Sequence, residues 1–173
     1  MIKFRKADLS DAQRIANLHA VSWQRTYRGN FTDAYLDSDV FTERQEFWKT
    51  SLTNPGDNQS VIIAESETAL IGFLCVFGGE DPQWGSFIDN LHVDNTCQGQ
   101  GVGSDLMIQA SDWLQKHFNN YGVFLHVWES NPALHFYEQL GGRNTSLVEE
   151  DNPDGGVGKY FRMVWDKPEY ITR

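Results

Sequence analysis

Residues 86–118 read SFIDNLHVDNTCQGQGVGSDLMIQASDWLQKHF, and three local patterns follow one another in them. Phe87 to Val93 alternates in the manner of a strand. From Gly101 onward, Val102, Leu106, Ala110, Trp113 and Leu114 recur at helical spacing and form one apolar stripe. Between the two lies Gln98-Gly99-Gln100-Gly101-Val102-Gly103. A strand, a glycine-rich turn and a helix start together make a site for an anion. The first N–H groups of a helix have no intrahelical partner, and its dipole favours negative charge there. Glycine lets the backbone come close to a pyrophosphate.

Three anion loops share this outline. The P-loop pattern G-x-x-x-x-G-K-S/T does not occur in the chain. The dinucleotide fingerprint G-x-G-x-x-G fails from either start, because its third glycine falls on Ser104 or on Leu106. The spacing that fits is Gln98-x-x-Gly101-x-Gly103. On its own, such a turn can also be a purely structural connection.

The rest of the composition narrows the class. A chain of 173 residues is long enough for one sizeable core and is read as a single domain, 1–173. Its net charge of −10 argues against a nucleic-acid surface and would suit a cationic substrate or a generally acidic exterior. No stretch reads as a membrane span, and the charged start MIKFRKADLSD is not a signal peptide. Cys75 lies in an apolar run and Cys97 just before the loop, with no metal-ligand spacing around either. These features point to a cytoplasmic protein without a metal.

In chain order the patterns give a short strand at 2–5 and a helix capped by Asp8 that continues to Trp23. Helical segments follow near 32–36 and 42–52, then a hairpin of 61–64 with 70–77. Gly78 to Pro82 reads as a loop. After the strand and helix of residues 86–118 comes Val123 to Trp128, a nearly unbroken apolar run that suits a strand covered on both faces. Asn131-Pro132 opens a last helix ended by Gly141-Gly142. Strands at 143–148 and 159–165 enclose the polar loop 149–158. The fold class is therefore mixed α/β, with one central βαβα unit.

A second motif is more specific. Asn131-Pro132-Ala133-Leu134-His135-Phe136-Tyr137-Glu138-Gln139-Leu140-Gly141-Gly142 resembles the N-p-A-x-x-F-Y-E-x-L-G element of the GNAT superfamily of acyl-CoA-dependent N-acyltransferases. The Gln98 loop resembles that family's Q/R-x-x-G-x-G/A pyrophosphate loop. Ser22-Trp23-x-x-x-Tyr27-x-Gly29 and Tyr35-Leu36 resemble its first two helices. The resemblance spans nearly the whole chain. It departs at Gln98, where arginine is commoner, and at Gly142, where phenylalanine is frequent.

The resemblance implies a GNAT-like, mostly antiparallel sheet whose fourth and fifth strands splay apart. It implies acetyl-CoA as donor, with the pantetheine arm along the backbone of Leu91, His92 and Val93. The pyrophosphate would sit on Gln98, Gly99, Gln100, Gly101, Val102, Gly103 and Ser104. Asn131 and Phe136 would complete that side. A lysine-like amine is almost wholly charged at neutral pH and must lose a proton before it attacks. Asp89 is the candidate base, placed by simple alternation on one face with Phe87, Leu91 and Val93. Glu80 and Glu129 are weaker choices, since both read as loop residues. Tyr137 holds the family's general-acid position. Trp23, Tyr27, Tyr35 and Trp84 would line the acceptor pocket.

Plainer roles stand beside each assignment. Asp89 could bond a neighbouring loop, Tyr137 could be core, Asn131 a helix cap, and the aromatics packing. His92, His126 and His135 have no metal spacing. The acceptor is an amine on a small molecule or a peptide, and a homodimer is compatible with the sequence. An acyl-CoA-sensing module without turnover is the alternative to an enzyme.

Overall fold

The computed structural model describes all 173 residues. Seven strands form one sheet in the order β1-β2-β3-β4-β5-β7-β6. They are β1 (Lys3–Lys6), β2 (Gln59–Glu65), β3 (Leu70–Asp81), β4 (Gly85–Val93), β5 (Val123–Trp128), β6 (Arg143–Asp151) and β7 (Val157–Trp165). Every neighbouring pair is antiparallel except β4 with β5. That parallel pair needs a crossover, supplied by α3 (Val102–His117). Helix α3 and the short α4 (Ala133–Gln139) cover one face of the sheet; α1 (Ala12–Thr26) and α2 (Val40–Thr53) cover the other.

The main core lies under α3, where Val102, Leu106, Ala110 and Leu114 meet Leu74, Val76, Ile88 and Leu125. This is the stripe expected from the sequence, except that Trp113 packs at its margin. On the opposite face, Ile15, Ala16 and Trp48 pack on Val61, Ile63, Phe73 and Cys75. Asp8 caps α1's entry as expected, in a reciprocal capping box with Asp11. Arg5 ties that entry to the sheet by bonding both Asp11 and Glu65.

Two expectations need correction. Residues 78–81 are not a loop but the end of β3, so Glu80 lies in a strand. Glycine there lets Phe118 lie on the strand, since a Cβ at Gly78 would stand 2.2 Å from its ring. The polar segment 149–158 is mostly hairpin, with β6 running to Asp151 and β7 starting at Val157. The helical segment expected at 32–36 is present: Asp33 and Ala34 lead into a π turn, Tyr35–Asp39, that runs straight into α2. Gly142 has a packing reason: a Cβ there would stand 2.7 Å from Trp165, whose indole fills the space.

Strands β4 and β5 pair only at Ser86 with Val123 and at Phe87 with Phe124. Beyond those two rungs they part, giving the splay that the resemblance implied. No helix is long and apolar enough to cross a membrane.

Candidate active site

The loop is built by two glycines that no other residue could replace without strain. Gly99 has φ +74° and Gly101 φ +85°, and nothing lies within 4 Å of a Cβ placed on either. Asp94 starts the turn by accepting from the N–H of Thr96 at 2.9 Å. Gln100 braces it by donating to Thr96 O at 3.0 Å, and Gln98 donates to Val93 O at 3.3 Å. Both glutamine side chains are thus turned back on the loop. Asp105 is the first residue of α3 whose N–H is bonded, to Gly101 O at 3.0 Å. The N–H groups from Gly99 to Ser104 have no partner in the protein. Six consecutive free donors at the start of a sixteen-residue helix form a cradle for an anion.

The loop itself carries no cation. Arg25 on α1 supplies one nearby: with Ser22, Val93, Asp94 and Gln98 it lines a cavity of about 320 Å³ beside the loop. Sequence reasoning missed Arg25, because only the packing of α1 on β4 brings it there. Arg173 pairs with Asp105 in the first turn of α3.

The free edge of β4 faces the splay. Asp94 donates to Ile71 O on β3 at 2.7 Å. Alternation then turns the backbone groups of Leu91 and Val93 toward the gap and those of His92 toward β3. His92 therefore does not offer its backbone to a ligand there. Its ring serves α1 instead, with Nδ1 2.8 Å from Ser22 Oγ. Burial and the nearby Arg44 charge pull its pKa to about 3, so it is neutral.

Asp89 is not on the face that simple alternation assigned. Cys75 pairs with Asn90 and Val76 with Ile88, so Asp89 is an extra residue in β4, a β-bulge. The bulge reverses the alternation. Leu91 and Val93 join Ile88 on the α3 side, whereas Phe87 stacks on Phe124 on the other face. Asn90 shares the α1–α2 face with its partner Cys75. Asp89 keeps solvent-accessible surface, yet protein surrounds its carboxylate closely. That desolvation lifts its pKa to about 6, against the opposing pull of Arg44 and with smaller help from Glu150 and Glu80. Its one side-chain partner is the amide of Asn90.

Tyr137 comes from the other side of the sheet. It is buried against Phe136 and Trp165. Its hydroxyl has no protein partner and is not among the sealed polar atoms. Burial raises its pKa above the ordinary phenol value, as does the proximity of Tyr27 from α1. The two tyrosines thus approach from opposite faces of the sheet. Phe136 packs on the loop, 3.3 Å from a Cβ placed on Gly103. Asn131 caps α4, its Oδ1 accepting from Ala133 N at 2.9 Å.

Three of the four predicted pocket aromatics come together. Trp23, Tyr27 and Tyr35 form one cluster with Phe31 and Trp128. Trp84 stands apart, under the guanidinium of Arg162 at 4.4 Å. Glu129 lies in a turn, its N–H bonded to Lys159 O.

The comparisons with known proteins agree with this geometry. Residues 13–142 match the model of the "Acetyltransferase (GNAT) family". The chain is 28% identical over 156 residues to the uncharacterized N-acetyltransferase YuaI of Bacillus subtilis (strain 168), covering 88% of this chain and 84% of that one. Its fold is similar to PaiA N-acetyltransferase from Thermoplasma acidophilum, solved in complex with coenzyme A. The TM-score there is 0.72 at 18% identity, over 96% and 99% of the two chains. It is also similar to a GCN5-related N-acetyltransferase from Rhodopseudomonas palustris, with a TM-score of 0.75 at 15% identity over 95% and 94%. A family match over three-quarters of the chain, on a sheet with the same splay and loop that the sequence motifs imply, means that this chain belongs to the GNAT family of acetyltransferases.

Proposed function

We propose that this protein transfers the acetyl group of acetyl-CoA to a primary amine by direct attack, with both substrates bound at once. The observation that carries the reading is the six free N–H groups from Gly99 to Ser104, which border the unpaired edge of β4. Such a cradle fits a pyrophosphate, and the free edge at Leu91 and Val93 fits an amide-bearing chain laid beside it like an added strand. When bound, acetyl-CoA supplies a thioester open to attack by an amine, and a thiolate leaving group.

The protein's own residues do the rest. Asp89, with a pKa near 6, is ionised at neutral pH and basic enough to accept the ammonium proton directly or through one water. Tyr137 stays protonated because burial raises its pKa. It therefore acts chiefly by donating a hydrogen bond to the developing thiolate, since complete proton transfer from so weak an acid runs uphill. The backbone N–H of Leu91 at the open edge can donate to the thioester oxygen as charge grows there. Cys75 offers no acyl-enzyme route: it is buried, and desolvation pushes its thiol up to about 12. An assay following free CoA thiol across a panel of amines tests this. Thiol release that depends on an amine supports it; tight CoA binding with no release from any amine would leave the sensing module as the correct reading.

A further inference from the structure

Arg44 on α2 is only 8% exposed, and its guanidinium lies between the rings of Trp23 and Phe47, 4.7 and 4.8 Å from their centroids. Of its five donors, only Nη2 is bonded, to Glu43 Oε1 at 2.5 Å. Nε is sealed from solvent and has no partner. Glu43 is already shared, because its other oxygen accepts from the Tyr35 hydroxyl at 2.5 Å. A buried, always-charged group that leaves donors unbonded costs free energy which a purely structural site would remove.

Its neighbours indicate what is missing. Arg44 stacks on Trp23, Trp23 packs on His19, and His19 on His92, and the Arg44 charge lowers the pKa of both histidines and of Asp89. Both histidines are held neutral by burial, which leaves Arg44 as the cation facing Asp89. Its influence on Asp89 exceeds that of either Glu80 or Glu150. Yet its one ion pair within 4 Å is with Glu43, not with Asp89. Asp89, which keeps accessible surface, and the under-bonded guanidinium thus make no ion pair with each other. A molecule carrying both an ammonium and a carboxylate would satisfy both.

We propose that Arg44 binds a carboxylate of the acceptor, so that the acceptors are amines bearing an acid group close by: amino acids or short peptides. This rests on the acetyltransferase reading above. The amine is presented to Asp89 while the acid group takes the idle Nη donors of Arg44. The arrangement fixes orientation as well as affinity, because a guanidinium fork matches a carboxylate.

The test begins with the unaltered enzyme and matched amines: alanine against alaninol, dialanine against its C-terminal alcohol, and spermidine as a polycation without a carboxylate. Free thiol is the readout. The acid-bearing member of each pair should be favoured by about tenfold to a hundredfold in kcat/KM, the worth of a charge-assisted hydrogen bond. In Arg44→Gln that preference should vanish through KM, and in Arg44→Lys it should partly return. Calorimetric affinity for acetyl-CoA should be unchanged in both. Because Arg44 is buried, Arg44→Gln could fail to fold, but the comparison of amines needs no variant. Equal or better use of the alcohols or of spermidine overturns the proposal and points to Glu80 and Glu150 as the recognition groups. If acetyl-CoA binds but no amine releases thiol, the acetyltransferase reading fails and this inference fails with it.

Discussion

Replacing Asp89 by Asn tests the base assignment with two readouts that move in opposite directions. With a pKa of about 6, roughly nine-tenths of the Asp89 carboxyl is ionised at pH 7 and roughly one-tenth at pH 5. An ordinary aspartate near 3.9 would be more than about nine-tenths ionised at both. In the unaltered enzyme, which takes the proton from a bound ammonium, log kcat/KM should therefore climb with slope near one below pH 6 and level off above it. A variant without the base must instead draw on the free amine, whose share rises about tenfold per pH unit below its pKa. Asp89→Asn should remove the bend and leave slope one throughout. Its rate should be about 10²–10⁴-fold lower at pH 7, the usual worth of a positioned base. Stability should move the other way. A carboxyl whose folded pKa is raised binds protons more readily when folded, so the protein loses stability as pH rises from about 4 to about 6. The variant cannot ionise and should melt higher than the parent above pH 6, and alike near pH 4. Pre-steady-state measurement with saturating acetyl-CoA would isolate the chemical step. A variant that keeps the bend near pH 6, or the parent rate at pH 7, would refute the reasoning, whatever its melting temperature.

Other substitutions probe the donor side. Gly101→Val should lower calorimetric affinity for CoA by more than about tenfold, since a side chain would enter the open space above the loop; holding a branched residue at φ +85° should also cost stability of about 1–3 kcal/mol. Arg25→Gln should weaken CoA a few-fold, more at low salt than at high, and leave binding of pantetheine unchanged; equal loss for both would remove Arg25 from the phosphate side. Tyr137→Phe keeps the ring and its contacts with Phe136 and Trp165, so the melting temperature should hold while kcat falls about 10²-fold. An unchanged kcat would make Tyr137 a core residue only.

Much of this arrangement could be read from local patterns, and the failures share a cause. The Gln98 loop, the stripe on α3 and the Asp8 cap depend on residues close in sequence, so spacing alone located them. The extent of β3 was missed because Gly78 and Gly79 look like a turn. What keeps that segment extended is Phe118, forty residues away, lying on the bare backbone. The bulge at Asp89 was missed for a similar reason. Alternation assumes one residue per rung, and only the pairing of β4 with β3 reveals the extra one. Arg25 and Arg44 gave no signal because arginine on a helix usually faces water. Their placement comes from what α1 and α2 are laid against.

The bulge links the two halves of the site. Without the extra residue, the parity of Ser86, Phe87 and Ile88 would continue, and Leu91 and Val93 would turn toward α1. With it, Leu91 and Val93 enter the core under α3, which seats the start of that helix and its free N–H groups beside the end of β4. The same step puts Asn90 and His92 against the α1–α2 face, where His92 meets Ser22. It also leaves Asp89 outside the regular ladder, between that face and the point where β4 leaves β5. A base fixed in a flat, fully paired strand would be buried among ladder bonds and closed to an incoming amine. A base on a loop would reach the amine but would not be held against the thioester. On the proposed mechanism, one inserted residue gives both accessibility and register, because the strand on either side of Asp89 is anchored, by Ile88 before it and Leu91 after it. The proposed donor edge and acceptor cleft therefore owe their relative position to the same backbone irregularity, and a substitution that relaxed the bulge would disturb both together.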